Sequence, residues 1–460
     1  MWIELRAPSR ARAGDGAAQD NRLSFTDQAM FLGLRATGQE SVMQVAWVYE
    51  HPVQMAAVRR FHRDFGHGLY GRLIERSPLP FGRHRWVSSP APAPFDTGGN
   101  ARPRAELSDW IDERAQLPLD PEWGPGWHLG AQSFTDGSTA VSLVLSHCLA
   151  DGGGALLTIA DGINGATRDL GYPPPRSRTR LRAVAADAVD TARGLPEVAR
   201  TLVAAAKQAL RRRHDFARSG PSQPTGGGDD RGVVLPAVAV FVDTADWDAR
   251  AEALGGTTYS LVAGFAAKLA ERMGRRRAAD GAVALLLPIS DRGPGDTRAN
   301  AVSLGSLTVD PTPVTTDLSG VRAAIRDAIT TMRESPDESL QLLPLIPFVP
   351  KRAVKRGANV MFGFADLPVS CSNVGDLDPV IGRLDGTDAD HVILRGVDRH
   401  VTRRALEHRR GLLTVVSGRV GGKISVDVVA YQPEAPNSKA WLRELAVATL
   451  AEFDLAGAVV

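Results

Sequence analysis

The apolar positions of the first half of the chain switch between two periods. "LSFTDQAMFLGLR" repeats at helical spacing, and Ser24 followed by Asp27 stands at capping-box spacing, so a helix is predicted from Ser24. "SVMQVAWVYE" is β-branched and aromatic, as a strand requires, and "PVQMAAVRRFHRDF" returns to the helical period. "HRWVSS" is a short strand and "AELSDWIDERA" a helix. "WHLGAQSF" and "STAVSLVLSH" flank Thr135-Asp136-Gly137, a hairpin signal, and "GGALLTIADGINGA" follows as a helix. Beyond a Pro-rich turn from Tyr172 to Arg178, "LRAVAADAVDTARGLPEVARTLVAAAKQALRRR" is helical, with a break expected near Gly194 and Pro196.

"HDFARSGPSQPTGGGDDRG" has no period and is rich in Gly, Pro and polar residues, which reads as a linker. The mixed pattern then resumes. "VVLPAVAVFVD", "AVALLLPIS", "AVSLGSLTVD", "LPVSCSN", "HVILRGV", "GLLTVVSGRV" and "KISVDVVAYQ" read as strands. "ADWDARAEALGG", "TTYSLVAGFAAKLAERMG", "DLSGVRAAIRDAITTMRES" and "KAWLRELAVATLAEF" read as helices, the first two closed by Gly255 and Gly274. No short-period repeat occurs. The expected organisation is an N-terminal lobe over 1–213, a linker over 214–232 and a C-terminal lobe over 233–460, each an α/β layered unit.

Composition narrows the picture. A chain of 460 residues exceeds one compact core, and 43% hydrophobic with 23% charged residues suits a soluble globular protein. The net charge of +2 sets up no global field for nucleic acid or membrane. Cys148 and Cys371 are too few for a disulfide framework, so a reducing cytoplasm is the expected compartment. The first 22 residues or so form a basic lead without the apolar core of a signal peptide, and no run is long enough to span a membrane. Peripheral membrane contact stays open. Arg211-Arg212-Arg213, Arg275-Arg276-Arg277 and Lys351 to Arg356 read as solvated surface or as sites for a coenzyme A phosphate or an acidic carrier.

The chemistry concentrates in "SHCLADGGG", Ser146 to Gly154. A strand end opening into a glycine-rich turn is a common place for a catalytic side chain, and glycine lets a substrate come close. His147 and Asp151 lack the further ligands a metal centre needs, so no metal is expected. Ser146 and His147 are strand neighbours with side chains on opposite faces, which defeats a Ser–His dyad. "GHGLYG" follows a helix rather than a strand and does not fit a dinucleotide-binding turn, and no P-loop is present.

His147-x-x-x-Asp151-Gly152 resembles the HxxxDG signature of the acyltransferase superfamily, which includes chloramphenicol acetyltransferase, condensation domains and plant acyltransferases. Within it the chain looks most like the bacterial wax ester synthase/diacylglycerol acyltransferase branch. "LSFTDQAMFL", "ALGGTTYSLVAGFAAKLA", "LPISDR" with Asn300, and "VSCSNVGDL" are similar to segments of that branch, in the same order. The chain departs from it where Ser146 replaces the first of two histidines, where "TTYS" replaces Thr-x-Asn-Asp, and where "SNVGDL" lacks the following prolines.

The resemblance implies an α/β fold of two chloramphenicol-acetyltransferase-like lobes with mixed sheets, V-shaped, with a tunnel at their interface. It implies an acyltransferase that uses acyl-CoA or an acyl-carrier thioester as co-substrate and binds no cofactor. His147 would be the general base toward an alcohol or amine, a role worth roughly 10²–10⁴ in rate, without an acyl-enzyme. Asp151 would pair with an arginine, expected to be Arg292, and Gly152 would permit the turn. Ser146, Ser372 and Asn373 are the expected substrate-binding residues. Two other readings remain: a free-standing amide-forming condensation enzyme, and a non-catalytic homologue that binds a carrier protein or lipid.

Overall fold

A computed structural model describes residues 20–90, 92–216, 231–334, 340–350 and 367–460, with backbone only for 204–216 and 340–341. Most of the expected linker, the basic lead through residue 19 and the cluster Lys351 to Arg356 lie outside the described residues. In chain order the first half runs α1 (Phe25–Thr37), β1 (Glu40–Tyr49), α2 (Met55–Phe65), β2 (Arg72–Glu75), β3 (Arg85–Ser88), β4 (Phe95–Thr97), α3 (Leu107–Ala115), β5 (Trp127–Ser133), β6 (Thr139–Ser146), α4 (Gly152–Ile163) and α5 (Arg180–Phe216). The second half runs β7 (Ala237–Asp243), α6 (Thr244–Ala253), α7 (Thr258–Arg272), β8 (Val283–Ser290), β9 (Val302–Val309), α8 (Ser319–Glu334), β10 (Val369–Asp376), β11 (His391–Arg399), β12 (Leu412–Val420), β13 (Lys423–Tyr431) and β14 (Ala458–Val459), with helices Arg403–His408 and Lys439–Glu452 after β11 and β13.

Two sheets organise two lobes. The N-terminal sheet has the order β11-β1-β6-β5-β4, and the C-terminal sheet β14-β7-β13-β12-β10-β8-β9. Both are mixed: β4 runs parallel to β5, and β10 parallel to β12 and β8, among antiparallel neighbours. The period of two decides the layers. Val141, Leu143 and Leu145 of β6 pack with Val58, Phe61 and Phe65 of α2 and Ile159 of α4. Val42 and Val144, on the opposite face, pack with Ala115 at the end of α3. In the C-terminal lobe α7 is buried from Ser260 to Ala267 and at Leu269 and Ala270, at the centre of that lobe's core, while Lys268 and Glu271 near its end pair with each other at 2.7 Å.

The lobes are joined by more than the linker. β11 belongs by sequence to the second half, yet it pairs antiparallel with β1 from Glu40↔Arg399 to Val48↔His391 and forms the edge of the N-terminal sheet. The boundary drawn at residue 233 therefore does not separate the sheets. A buried Arg399–Glu40 ion pair fixes one end of the crossing strand. Arg395 secures its middle, bonding Asp112 at 2.7 Å and Gln44 at 2.8 Å.

Three local expectations need correction. α5 continues through Gly194 and Pro196 instead of breaking, because one proline removes a single helical hydrogen bond without ending the helix. Only half of the Ser24 capping box forms: Ser24 Oγ accepts from the Asp27 amide at 3.1 Å, while the Asp27 carboxylate is used elsewhere. The cluster at 275–277 is not simply solvated surface, since Arg275 is buried and donates to the carbonyls of Arg410 (2.8 Å) and Pro368 (3.4 Å). Among the described residues no helix is long and apolar enough to cross a membrane.

Candidate active site

The β5–β6 hairpin turns at Gly137 (φ +89°) and sends β6 through the centre of the N-terminal sheet, so that His147 emerges where the strand stops. Its amide donates to the Ser41 carbonyl at 3.3 Å, and its own carbonyl accepts from Asn300 Nδ2 at 3.4 Å. The second of these bonds comes from the C-terminal half. The residue is half-buried, with Nδ1 inaccessible and without a hydrogen-bond partner. His147, Ser41 and Asp398 form a row across β6, β1 and β11, because Ser41 also pairs with Asp398. Burial pushes the Asp398 carboxyl above its ordinary range; Arg409 and a hydrogen bond from Ser41 act in the opposite direction. Asp398 was not singled out from the sequence, since a lone acid in "RGVDR" carries no motif.

Asp151 is buried in the joint between the lobes. It caps α4, its Oδ1 accepting from the Gly154 amide at 2.7 Å. Its Oδ2 accepts from the Ala301 amide at 2.7 Å and pairs with Arg292 Nη2 at 2.9 Å, while Arg292 Nε lies 3.3 Å from Oδ1. The side chains of Asp151 and Arg292 are 1% and 7% exposed, so this is a buried, hydrogen-bonded ion pair. Arg292 also donates to the carbonyls of Asp296 (3.0 Å), Arg298 (3.1 Å) and Ala299 (2.9 Å).

Residues 299–301, from the second half, are gripped from two sides. Asp151 takes the Ala301 amide; Asp27, fully buried on α1, takes the amides of Ala299 (3.1 Å) and Asn300 (2.8 Å). Ala299 sits inside the N-terminal core. Arg72 completes the joint, donating to Thr297 O at 2.6 Å and to Leu149 O at 2.7 Å, with its guanidinium 3.7 Å from the Trp86 ring centroid. Burial lowers the pKa of Arg72. Neither Asp27, which stands at capping-box spacing from Ser24, nor Arg72 has a neighbour in the chain that announces its distant partner.

The other expected site residues are placed differently. Ser146 is fully buried on the opposite face of β6, in the row of Val42, so it does not line a surface shared with His147. Gly152 has no left-handed φ, and a methyl group added there would meet only Val374 Cγ1, at 4.0 Å, so the turn does not depend on it. The glycine that packing demands is Gly154, where a methyl would lie 2.9 Å from Leu69 Cδ1 and 3.1 Å from Arg292 Nη2. Ser372 is half-buried on β10, and its carbonyl accepts from Ser417 Oγ at 3.4 Å. Asn373 Oδ1 accepts from Ser417 Oγ and from the Gly375 amide, both at 3.1 Å, which leaves only its amide hydrogens to offer a ligand. Among the described residues no group of three His, Cys, Asp or Glu side chains is placed to hold a metal ion. Two surface clefts, one along α5 and one beside His391, are not lined by His147.

No protein-family model and no curated protein matches the chain. Solved structures do. The first condensation domain of the calcium-dependent antibiotic synthetase, in complex with a substrate analogue, superposes with a TM-score of 0.57 at 16% identity, over 95% of this chain and 97% of that one. The chain has the two-lobe, chloramphenicol-acetyltransferase-like fold. The wax ester synthase/diacylglycerol acyltransferase from Marinobacter aquaeolei VT8 superposes with a TM-score of 0.53 at 14% identity, over 94% of this chain and 98% of that one. A nonribosomal peptide synthetase, FmoA3, matches at 0.51 and 16% identity over 98% of this chain but 44% of its own length.

Proposed function

We propose that the protein is an acyltransferase that moves an acyl group from a CoA or carrier-protein thioester to a hydroxyl or amine acceptor. His147 is the general base. The acceptor oxygen or nitrogen attacks the thioester carbonyl as the imidazole takes its proton. The tetrahedral intermediate then expels the thiolate, which recovers the proton from the imidazolium. Atoms and charge balance without an acyl-enzyme.

The observation that carries the reading is the placement of His147. It is half-buried at a strand end where the two lobes meet, and its backbone is held by Asn300 of the opposite lobe. Asp151 serves architecture: its carboxylate is consumed by Arg292, Gly154 and Ala301. Asn373 can donate through Nδ2 toward a developing oxyanion, whereas Ser372, its neighbour on β10, has its side chain on the other face of the strand. The likeness to both condensation domains and a wax ester synthase supports acyl transfer and leaves the acceptor as hydroxyl or amine.

The test is release of free thiol from a panel of acyl thioesters supplied with alcohols and amines. Wild-type protein releases thiol only when an acceptor is present, and His147→Ala abolishes release while melting like wild type. A folded His147→Ala variant with full activity would sink the assignment. Acceptor-independent binding of a carrier protein or lipid, with no thiol release from any donor, would instead favour a non-catalytic binder.

A further inference from the structure

α5 is held to the body along one face and bare along another. On the held face Asp187 pairs with Arg85 (3.1 Å) and Arg178 (3.0 Å), and Asp190 pairs with Arg85 at 2.5 Å. On the bare face Leu181, Ala185, Ala188, Ala192, Leu195, Ala199 and Leu202 follow one another at alternating steps of four and three, and all are exposed. Leu181 is 82% exposed, Leu195 51% and Leu202 55%, with Val189 and Val203 beside them. Of the twelve large hydrophobic side chains exposed among the described residues, five lie on this helix. From Leu181 to Leu202 the stripe is ~32 Å long. Soluble surfaces scatter such residues singly, and a continuous row marks an interface.

Charge selects the occupant. The exposed ionic side chains of α5, over the part whose side chains are described, are Arg180, Arg182, Arg193 and Arg200 against Glu197, while Asp187 and Asp190 are turned inward. A second copy laid along the stripe would bring arginines against arginines. A surface that is anionic outside and apolar beneath accepts both the row and its rim, which is the chemistry of an in-plane amphipathic helix. Near the helix start Trp123 is 68% exposed, with Arg176 5.7 Å from its ring centroid. We propose that α5 is a docking helix that seats the protein on the surface of an anionic lipid bilayer, lying along it without crossing.

Vesicle flotation of the full chain tests this. The protein should float with vesicles of phosphatidylcholine mixed in equal parts with phosphatidylglycerol, stay behind with phosphatidylcholine alone, and be released by salt. The pair Arg193→Gln and Arg200→Gln should weaken binding on the order of fivefold per arginine. The pair Leu195→Gln and Leu202→Gln should weaken it by roughly tenfold or more. All four positions are exposed, so thermal melts should match wild type. Equal flotation with neutral vesicles, or flotation that neither pair alters, would overturn the proposal. So would a failure to float together with a dimer, seen by light scattering, that the leucine pair dissolves; that result would assign the stripe to a second copy.

Discussion

Removing the Asp151 carboxylate should open the joint between the lobes. Asp151 makes one ion pair with Arg292 and accepts from two amides, one in each lobe. In Asp151→Ala the Arg292 guanidinium keeps three carbonyl partners but loses its counter-ion in a site where it is 7% exposed. Breaking such a buried pair costs about 3–5 kcal/mol, and loss of a helix N-cap about 1 kcal/mol on its own scale. The two costs overlap, so the expected loss is at least about 3 kcal/mol. At about 2–4 °C per kcal/mol for a lobe of this size, the melting temperature should fall by roughly 6 °C or more. Asp151→Asn should cost less, because one amide oxygen still serves Gly154 or Ala301, though its NH₂ then faces the other donor. Denaturant unfolding of Asp151→Ala, Arg292→Ala and the double variant gives the coupling directly, and the double variant should be clearly more stable than the sum of the single losses implies. Melting of Asp151→Ala within a degree of wild type, or strictly additive losses, would refute the claim that this pair stitches the lobes.

Gly154→Ala should destabilise by about 1–3 kcal/mol through overpacking against Leu69 and Arg292, whereas Gly152→Ala should be neutral or slightly stabilising; paired thermal melts distinguish them. Ser146→Ala should leave kcat/KM for thiol release unchanged, since the hydroxyl is buried on the far face of β6; a tenfold loss would restore it to the substrate site. Asp427 is buried on β13, where it accepts from the Leu394 amide of the crossing strand at 3.1 Å, and burial raises its carboxyl to about 7 from 3.8. Between those values the folded chain keeps a proton that the unfolded chain has lost. Stability therefore falls as pH rises through the window, by about 4 kcal/mol in all. Asp427→Asn lacks this dependence, so denaturant unfolding should find it as stable as wild type near the acid end and more stable above the window. His128 and His84, lowered by burial to about 3 and about 4, tilt both proteins the opposite way and cancel in the difference.

The parts of the fold visible in the sequence are those whose cause is local. Alternation marks β6, Asp136-Gly137 marks its hairpin, and Gly255 and Gly274 take the left-handed φ values, +71° and +68°, that follow the ends of α6 and α7. Of the candidate site, the motif made the local geometry legible: His147 stands at a strand end, while Asp151 pairs with a residue 141 positions away. That pairing was expected from a family resemblance, since no spacing encodes it. What stayed hidden is the choice of partner. "HVILRGV" reads as a strand, but nothing in its own period says that it joins the first lobe's sheet. Asp27 looks like a helix cap because Ser24 precedes it, while its carboxylate serves Ala299 and Asn300. Ser146 and Asn373 are polar and adjacent to the motifs, yet the pleat turns one away and Ser417 occupies the oxygen of the other.

The proposed catalysis rests on one proton transfer, and the pre-steady-state rate of thiol release by wild type and His147→Ala measures it most directly. With donor and acceptor both saturating, the variant should be slower by roughly 10²–10⁴, the range of general-base catalysis, with its melting temperature unchanged. Equal rates from two equally folded proteins would contradict the assignment of the base.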